Sequence, residues 1–219
     1  MDRQLPTLDP GVTLLETDDA PTALYRLVGR HLADATTDTD GPAYWLDARN
    51  TASPATIREH APGSATRSIR VARAFTGYQH YEFVRALPGR VAPGASLIVA
   101  PNVGALYAED DVPDSEADAM VDVTCSLLAA VANGFDVPVL ITAPAPTYRE
   151  QIRAVADHTL TAERTRAGLR VEGADFQTDL YLDDWGYQTT IPYWVDLLGE
   201  ATTARSAPLG APEPTPLGV

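Results

Sequence analysis

Lysine is absent from this 219-residue chain: all 16 of its basic side chains are arginine, set against 30 aspartates and glutamates. The formal net charge is −14. Since Thr and Ala are abundant as well, this composition is typical of proteins from halophilic archaea that accumulate salt, where acidic surfaces keep proteins hydrated. In an ordinary cytoplasm the charge would argue against DNA binding, whose affinity comes largely from phosphate neutralisation. In molar salt that electrostatic contribution is weak for every protein, so the charge says little about partners.

Cysteine and histidine are scarce. Cys125 is the only cysteine, which excludes an intrachain disulfide and a cysteine cluster for zinc. It lies in the apolar stretch 123–131, which predicts a buried and inert thiol. The four histidines, His31, His60, His80 and His158, show no metal-ligand spacing. We therefore expect no metal ion.

Long hydrophobic runs are also missing. No apolar run reaches the ~18 residues that a membrane helix needs, and residues 1–6 contain no apolar segment of signal-peptide type. We therefore expect a cytoplasmic protein without membrane contact. Its length predicts one core domain over residues 1–203, followed by a disordered tail over 204–219 that is rich in Pro, Gly and Ala.

Alternating apolar strands and amphipathic helices predict an α/β fold. Strands are predicted over 12–16, 43–47, 68–73, 96–100 and 137–142. Helices are predicted over 21–33, from the end of the third strand to about residue 87, and over 115–133, where Ser115 would cap the helix and Gly134 would end it. Short strands with turns between them follow over 160–164, 168–172 and 178–182. The order predicts a mostly parallel sheet flanked by helices, with an antiparallel C-terminal extension.

Four blocks at or directly after predicted strands carry a resemblance to a known family. They are Leu-Asp-Ala-Arg-Asn-Thr-Ala-Ser-Pro-Ala-Thr-Ile (46–57), Val-Ala-Arg-Ala-Phe (71–75), Leu-Ile-Val-Ala-Pro-Asn-Val-Gly-Ala-Leu-Tyr (97–107) and Val-Leu-Ile-Thr-Ala-Pro (139–144). In this order they resemble the blocks I-D-T-E-G-T-F-R-P-E-R-I, A-R-A-F, L-I-V-D-S-A-T-A-L-Y and V-I-T-N-Q of the RecA/RadA recombinase core. The resemblance covers about residues 10–185 and implies a RecA-like fold.

The same resemblance implies that the phosphate loop is lost. The family motif G-x-x-x-x-G-K-[ST] follows the first strand, and its amides and lysine hold phosphate. Here residues 15–22 read Leu-Glu-Thr-Asp-Asp-Ala-Pro-Thr. Thr22 alone fits the motif, Pro21 stands at the lysine position, and the carboxylates of Asp18 and Asp19 would repel phosphate.

Three further positions depart from the family pattern. Arg49 stands where the family has the glutamate that orients the attacking water, Ala100 where it has the magnesium-binding aspartate, and Pro144 where it has the glutamine that senses the γ-phosphate. The resemblance thus implies no catalytic residue and no nucleotide cofactor. A vestigial pocket is expected at Asp18, Asp19, Pro21, Thr22, Asp47, Arg49, Ala100 and Pro144.

Features for DNA binding and protein contact are sparse. No helix-hairpin-helix domain precedes the core, and the segment after Pro144 is short and lacks the glycine pair of the family's second DNA-binding loop, which argues against direct nucleic-acid binding. Gln188, Ile191 and Trp194 have the spacing of a sliding-clamp binding peptide, although a closing strand or helix of the fold, with Trp194 in the core, is the favoured explanation. Phe83-Val-Arg-Ala86 matches the F-x-x-A peptide of recombinase self-association, but it lies in a predicted helix where Phe83 should be part of the core.

These observations predict a non-catalytic RecA/RadA-like pseudo-ATPase that acts through protein contacts. By resemblance, its process is DNA recombination, repair or replication, with a recombinase, polymerase or sliding clamp as candidate partner. The alternative is a regulatory or signalling scaffold similar to the KaiC-like RecA relatives, without DNA. A third possibility is an enzyme with a rebuilt pocket around Asp47 and Arg49, which no nucleophile–base pair supports.

Overall fold

One nine-stranded sheet organises the chain. The computed structural model describes residues 5–17, 20–34, 41–61, 63–144, 146–166, 168–174, 177–183 and 186–189. The strands are β1 (Gly11–Thr17), β2 (Ala43–Ala48), β3 (Ile69–Ala74), β4 (Leu97–Ala100), β5 (Pro138–Ile141), β6 (His158–Thr165), β7 (Gly168–Glu172), β8 (Gln177–Asp183) and β9 (Gly186–Thr189). The helices are α1 (Thr22–Asp34), α2 (Pro54–His60), α3 (Gly63–Thr66), α4 (Gly77–Ala86), α5 (Asp114–Phe135) and α6 (Arg149–Arg153), with short 3-10 helices at Leu87–Gly89 and Pro146–Tyr148.

The strand order is β3-β2-β4-β5-β1-β6-β7-β8-β9. Every pair from β3 to β6 is parallel, and every pair from β6 to β9 is antiparallel. The predicted fold class is therefore confirmed: a mostly parallel α/β sheet with an antiparallel C-terminal extension. β6 is where the two parts meet, since it runs parallel to β1 and antiparallel to β7.

Neighbouring residues of a strand point to opposite faces of the sheet. In the parallel part both faces carry apolar side chains, and helices cover both. In β1, Leu14 belongs to one hydrophobic core and Leu15 to the other. The first core also takes Leu128 of α5 and Ile152 of α6, and the second takes Leu27 of α1. The result is a three-layer sandwich that turns the carboxyl ends of its parallel strands toward one edge.

The boundaries of α5 differ from the prediction. The helix begins at Asp114, and its N-cap is Pro113, which makes no side-chain cap hydrogen bond, so Ser115 is not the cap. Gly134 lies inside the helix, and Asp136 ends it in the left-handed conformation at φ 51°. Aspartate is one of the few residues besides glycine that tolerate this conformation. The helix can therefore continue past Gly134 and end at Asp136.

Among the described helices, α5 is long and apolar enough to cross a membrane. Asp118 and Asp122 interrupt its sequence, so it is not an uninterrupted apolar run of that length. In this fold, however, Ala117, Val121, Thr124 and Leu128 of α5 are buried, and three of them belong to the first core. The helix is apolar because it packs on the sheet, and the predicted burial of Cys125 within it is confirmed.

Candidate functional site

A cleft of about 700 Å³ lies at the carboxyl ends of β1, β5 and β6. Ligands of open α/β sheets bind in this position, outside the strand ends. The start of α1 forms one wall through Pro21, Leu24 and Tyr25, and α6 forms another through Arg149 and Arg153. The remaining lining residues come from strand ends and loops: Leu15, Glu16, Thr17, Thr51, Pro101, Asn102, Thr142, Ala143, Pro144, Thr161, Ala162, Glu163 and Arg164.

The segment between β1 and α1 holds the position of the expected phosphate loop. Asp18 and Asp19 lie outside the described residues. Pro21 lines the cleft, whereas Thr22 is exposed at the first turn of α1 and is not part of the lining. The Ala20 amide, shortly before α1, donates a hydrogen bond to Thr17 Oγ1 at 3.2 Å. This backbone amide therefore already has a partner within the chain.

Asp47 is a structural carboxylate. It is completely buried, and its Oδ1 accepts hydrogen bonds from the Thr51 amide at 2.6 Å, the Thr51 hydroxyl at 2.8 Å and the Ala52 amide at 3.1 Å. Its Oδ2 accepts from Arg73 Nε at 2.7 Å. Since a buried charge must be paired and hydrogen-bonded, these four donors account for Asp47, which shapes the loop between β2 and α2 and does not line the cleft.

Arg49 points away from the cleft. It has a φ of 64° and Asn50 a φ of 58°, so the chain turns sharply directly after β2. The Arg49 guanidinium forms an ion pair with Glu109 at 2.6 Å and donates to the Ala105 carbonyl at 3.2 Å. Its charge thus joins the loop after β2 to the loop after β4, and Arg49 is not among the lining residues of the cleft.

At the ends of β4 and β5, Ala100 and Pro144 carry neither a carboxylate nor an amide side chain. Ala100 is completely buried and does not reach the lining, where Pro101 and Asn102 stand instead. Pro144 lines the cleft after β5. In the part of the chain that the structure describes, no cluster of three His, Cys, Asp or Glu side chains could hold a metal ion.

Arginines on one wall of the cleft were not singled out from the sequence. Arg149 and Arg153 come from α6, and Arg164 comes from β6. Arg153 bridges the cleft to Glu16 of β1, with Nη2 at 2.9 Å from Oε2. The available signal was the four-residue spacing of Arg149 and Arg153, which places both side chains on one face of a helix, but α6 was not among the predicted helices.

Tyr25 closes the cleft beside the loop after β2. Its ring stacks on Trp45 with a centroid distance of 5.9 Å, and its hydroxyl donates to the Thr51 carbonyl at 2.6 Å. Burial, and secondarily the Asp47 charge, raises the pKa of Tyr25. The hydroxyl therefore stays protonated, and its hydrogen bond to the Thr51 carbonyl joins two lining residues of the cleft.

A second polar cluster lies in the core beneath α4 and α5. His80 Nδ1 is 2.7 Å from the Tyr107 hydroxyl, which is 2.9 Å from the Thr124 hydroxyl. His80 Nε2 has no hydrogen-bond partner among the described residues. Burial lowers the pKa of His80 to about 4 and raises that of Tyr107. All three side chains are buried away from the cleft, so we assign the cluster to the fold.

The two expected contact peptides have different outcomes. Phe83 is partly buried and packs against the first core, which confirms the core interpretation of the F-x-x-A match. Gln188 lies in β9, and its side chain is outside the described part. Ile191 and Trp194 also lie outside the described residues, as does the predicted tail over 204–219, so the sliding-clamp hypothesis stays a prediction.

The fold and the cleft define an α/β domain with a ligand-sized opening at the carboxyl edge of its parallel strands. No protein-family model matches the chain, and no curated protein sequence matches it either. The resemblance to the RecA/RadA core thus depends on the four sequence blocks alone.

Proposed function

We propose that this chain is a RecA-like domain that does not hydrolyse ATP and acts as an accessory protein in DNA recombination, repair or replication through protein contacts. One observation carries the proposal. Where such a domain needs a lysine, a magnesium ligand and a γ-phosphate sensor, this chain has Pro21, Ala100 and Pro144 at the carboxyl edge of the sheet.

The positions of the four blocks in the fold support the kinship. Residues 46–57 begin in β2, 71–75 end β3, 97–107 begin with β4, and 139–144 end β5. These four strands are mutually parallel neighbours, so their carboxyl ends meet at one edge. The four blocks therefore lie at the edge where open α/β sheets bind their ligands.

The chemistry of the cleft supports the absence of turnover. Phosphoryl transfer depends on positioning and on stabilising the developing negative charge. The β1 wall instead presents Glu16, and Arg49, at the position of the water-orienting glutamate, is held by Glu109. Among the described residues, no cluster of three His, Cys, Asp or Glu side chains takes the place of the missing magnesium ligand.

Protein contact is supported by an apolar surface at the β3 edge of the sheet. Among the described strands β3 pairs with β2 alone, so its outer backbone groups have no strand partner there. Val71 in β3 and Phe75 directly after it are exposed, and Phe75 is 71% exposed. Exposed apolar side chains beside an open sheet edge are typical of interaction sites.

Binding of magnesium ATP tests whether the nucleotide site that turnover requires has been lost. At constant salt, magnesium ATP should leave the melting temperature unchanged, because the groups that hold its phosphates are missing. A ligand present at ~100 times its dissociation constant would stabilise the fold by about 2.7 kcal/mol. Differential scanning fluorimetry with and without magnesium measures this, and a clear magnesium-dependent rise would contradict the proposal.

Capture of partners from the native high-salt lysate tests the process. Mass spectrometry should find recombination, repair or replication proteins with the wild-type chain and lose them with Phe75→Ala. Because Phe75 is exposed, this variant should melt at nearly the same temperature. Arg85→Ala, exposed on α4, serves as the matched surface control. Signalling proteins in place of DNA-processing proteins would favour the regulatory scaffold instead.

A further inference from the structure

Among its described lining residues the cleft has one more arginine than carboxylates, in a strongly acidic protein. Arg149, Arg153 and Arg164 line it, whereas Glu16 and Glu163 are the carboxylates among its described lining residues. The whole chain carries a net charge of −14. A local excess of arginine within such a chain indicates a site for a negatively charged group, because most of the remaining surface repels one.

Arg149 and Arg153 are suited to contact a ligand directly. They lie one turn apart on α6, and both are exposed. In the described part of the chain, Arg149 makes no hydrogen bond or ion pair. Arg153 is paired with Glu16, but its side chain is 56% exposed, and exposed pairs of this kind contribute little to stability. A bound anion can therefore replace Glu16 as its partner.

The rest of the lining fits a small organic molecule better than a bare ion. The volume of about 700 Å³ lies within the range of small-molecule sites. Leu24, Pro101 and Ala143 provide apolar surface, and Asn102 and Thr161 add polar groups. Guanidinium groups recognise carboxylate and phosphate oxygens alike, with paired hydrogen bonds.

We infer that this cleft binds a small organic anion whose carboxylate or phosphate oxygens contact Arg149 and Arg153, without magnesium. The inference goes beyond the proposed function and stands without it. It uses the α6 wall of the cleft, whereas an ATP site would use the β1–α1 segment, where Glu16 and Pro21 stand. Glu16 is then a competitor for Arg153, occupying it until the anion arrives.

Calorimetric titration of the full chain with two probes tests the site. Citrate and pyrophosphate are titrated separately, with a chelator present and at one fixed KCl concentration at which all variants are folded by circular dichroism. We expect saturable one-site binding of one or both probes. Binding of citrate alone identifies a carboxylate ligand, and binding of pyrophosphate alone identifies a phosphate ligand.

Three variants make the test specific. Arg149→Gln should weaken binding at least tenfold, since it removes a charge-assisted hydrogen bond. Glu16→Gln should strengthen binding several-fold, because it frees Arg153 and removes a carboxylate from the cleft. Arg85→Gln, an exposed arginine paired with Glu82 on α4, should bind like the wild type.

Two results would overturn the inference: no saturable binding of either probe to the wild type, or equal affinities for Arg149→Gln and Arg85→Gln. Since magnesium is excluded, a retained ATP site would be detected in the separate magnesium ATP experiment. Failure of the proposed function and failure of this inference are thus distinguishable.

Discussion

At the scale of single residues, Asp47 shows how a residue that matches a family motif can serve the fold. Four donors surround its buried carboxylate, and the Arg73 guanidinium that pairs with it also donates to the Ala52 carbonyl at 3.0 Å. The charge therefore joins β2, β3 and the start of the loop before α2. Its hydrogen bonds fix the position of Thr51, which is a lining residue of the cleft.

Asp47→Asn should destabilise the protein by about 3 kcal/mol, since an amide nitrogen would face donors in a buried site and the ion pair to Arg73 would be lost. Chemical denaturation at fixed high salt measures the loss. Glu82→Gln, which removes the exposed partner of Arg85, is the control and should cost less than about 0.5 kcal/mol. Similar losses in the two variants would show that Asp47 is not structural.

The direction of each side chain in the site was harder to predict than the position of each residue in the motifs. The sequence places Pro21 and Pro144 in the pocket, and both line the cleft. It also places Asp47, Arg49 and Ala100 there, whereas the fold buries Asp47 and Ala100 and turns Arg49 toward Glu109. Alignment to a motif identifies a position along the chain, but side-chain direction depends on partners that are distant in sequence.

At the scale of elements, the long and strongly patterned segments were predictable. All five strands up to β5 and helices α1, α4 and α5 occur within a few residues of their expected bounds. The helices α2, α3 and α6 have only four to seven residues, too few for a helical periodicity to emerge. Local capping identifies α2 instead: Ser53 Oγ accepts from the Thr56 amide, and Pro54 occupies the first turn. Arg149 and Arg153 were missed as lining residues because they lie on α6, which was not predicted.

The packing of α4 against α5 should respond to pH through His80. Burial lowers the pKa of His80 from the ordinary histidine value of 6.5 to about 4, so between these values the unfolded chain binds more protons than the folded one. Stability is then fully present above about pH 6.5 and falls as the pH drops toward 4. At 1.36 kcal/mol per pKa unit, the loss amounts to about 3 kcal/mol.

Denaturation curves between neutral pH and pH 4.5 measure this loss. His80→Gln keeps a hydrogen-bonding side chain beside Tyr107 but does not titrate, so its stability should fall less steeply than that of the wild type. His158→Gln replaces an exposed histidine and should follow the wild type. If His80→Gln and the wild type have the same slope, the buried histidine is not the source of the pH dependence.

At the scale of the whole molecule, surface charge is the dominant property. The outer face of α5 shows the pattern: Asp114, Glu116, Asp118 and Asp122 are all exposed, while the opposite face is buried in the core. With a net charge of −14, mutual repulsion opposes compaction in dilute buffer. At 1 M salt the screening length falls to ~3 Å, which removes most of that repulsion.

We therefore expect folding to depend on molar salt. Circular dichroism and thermal melting over a series of KCl concentrations should show a cooperative transition at high salt that broadens and shifts to lower temperature as salt is removed. A series in sucrose without added salt separates charge screening from general exclusion effects. Full structure and cooperative melting in dilute buffer would contradict the halophilic interpretation of the composition.

The strand order also determines where a reporter group can be attached. β3, beside the exposed Phe75, is the first strand of the sheet, and β9 is the last. With neighbouring strands about 4.8 Å apart, roughly 38 Å separate the two margins. A fluorophore on a cysteine introduced into β9 would therefore lie well clear of a protein docked at β3. Paired with an acceptor dye on that protein, it would report the distance between them, and with it the side on which the complex assembles.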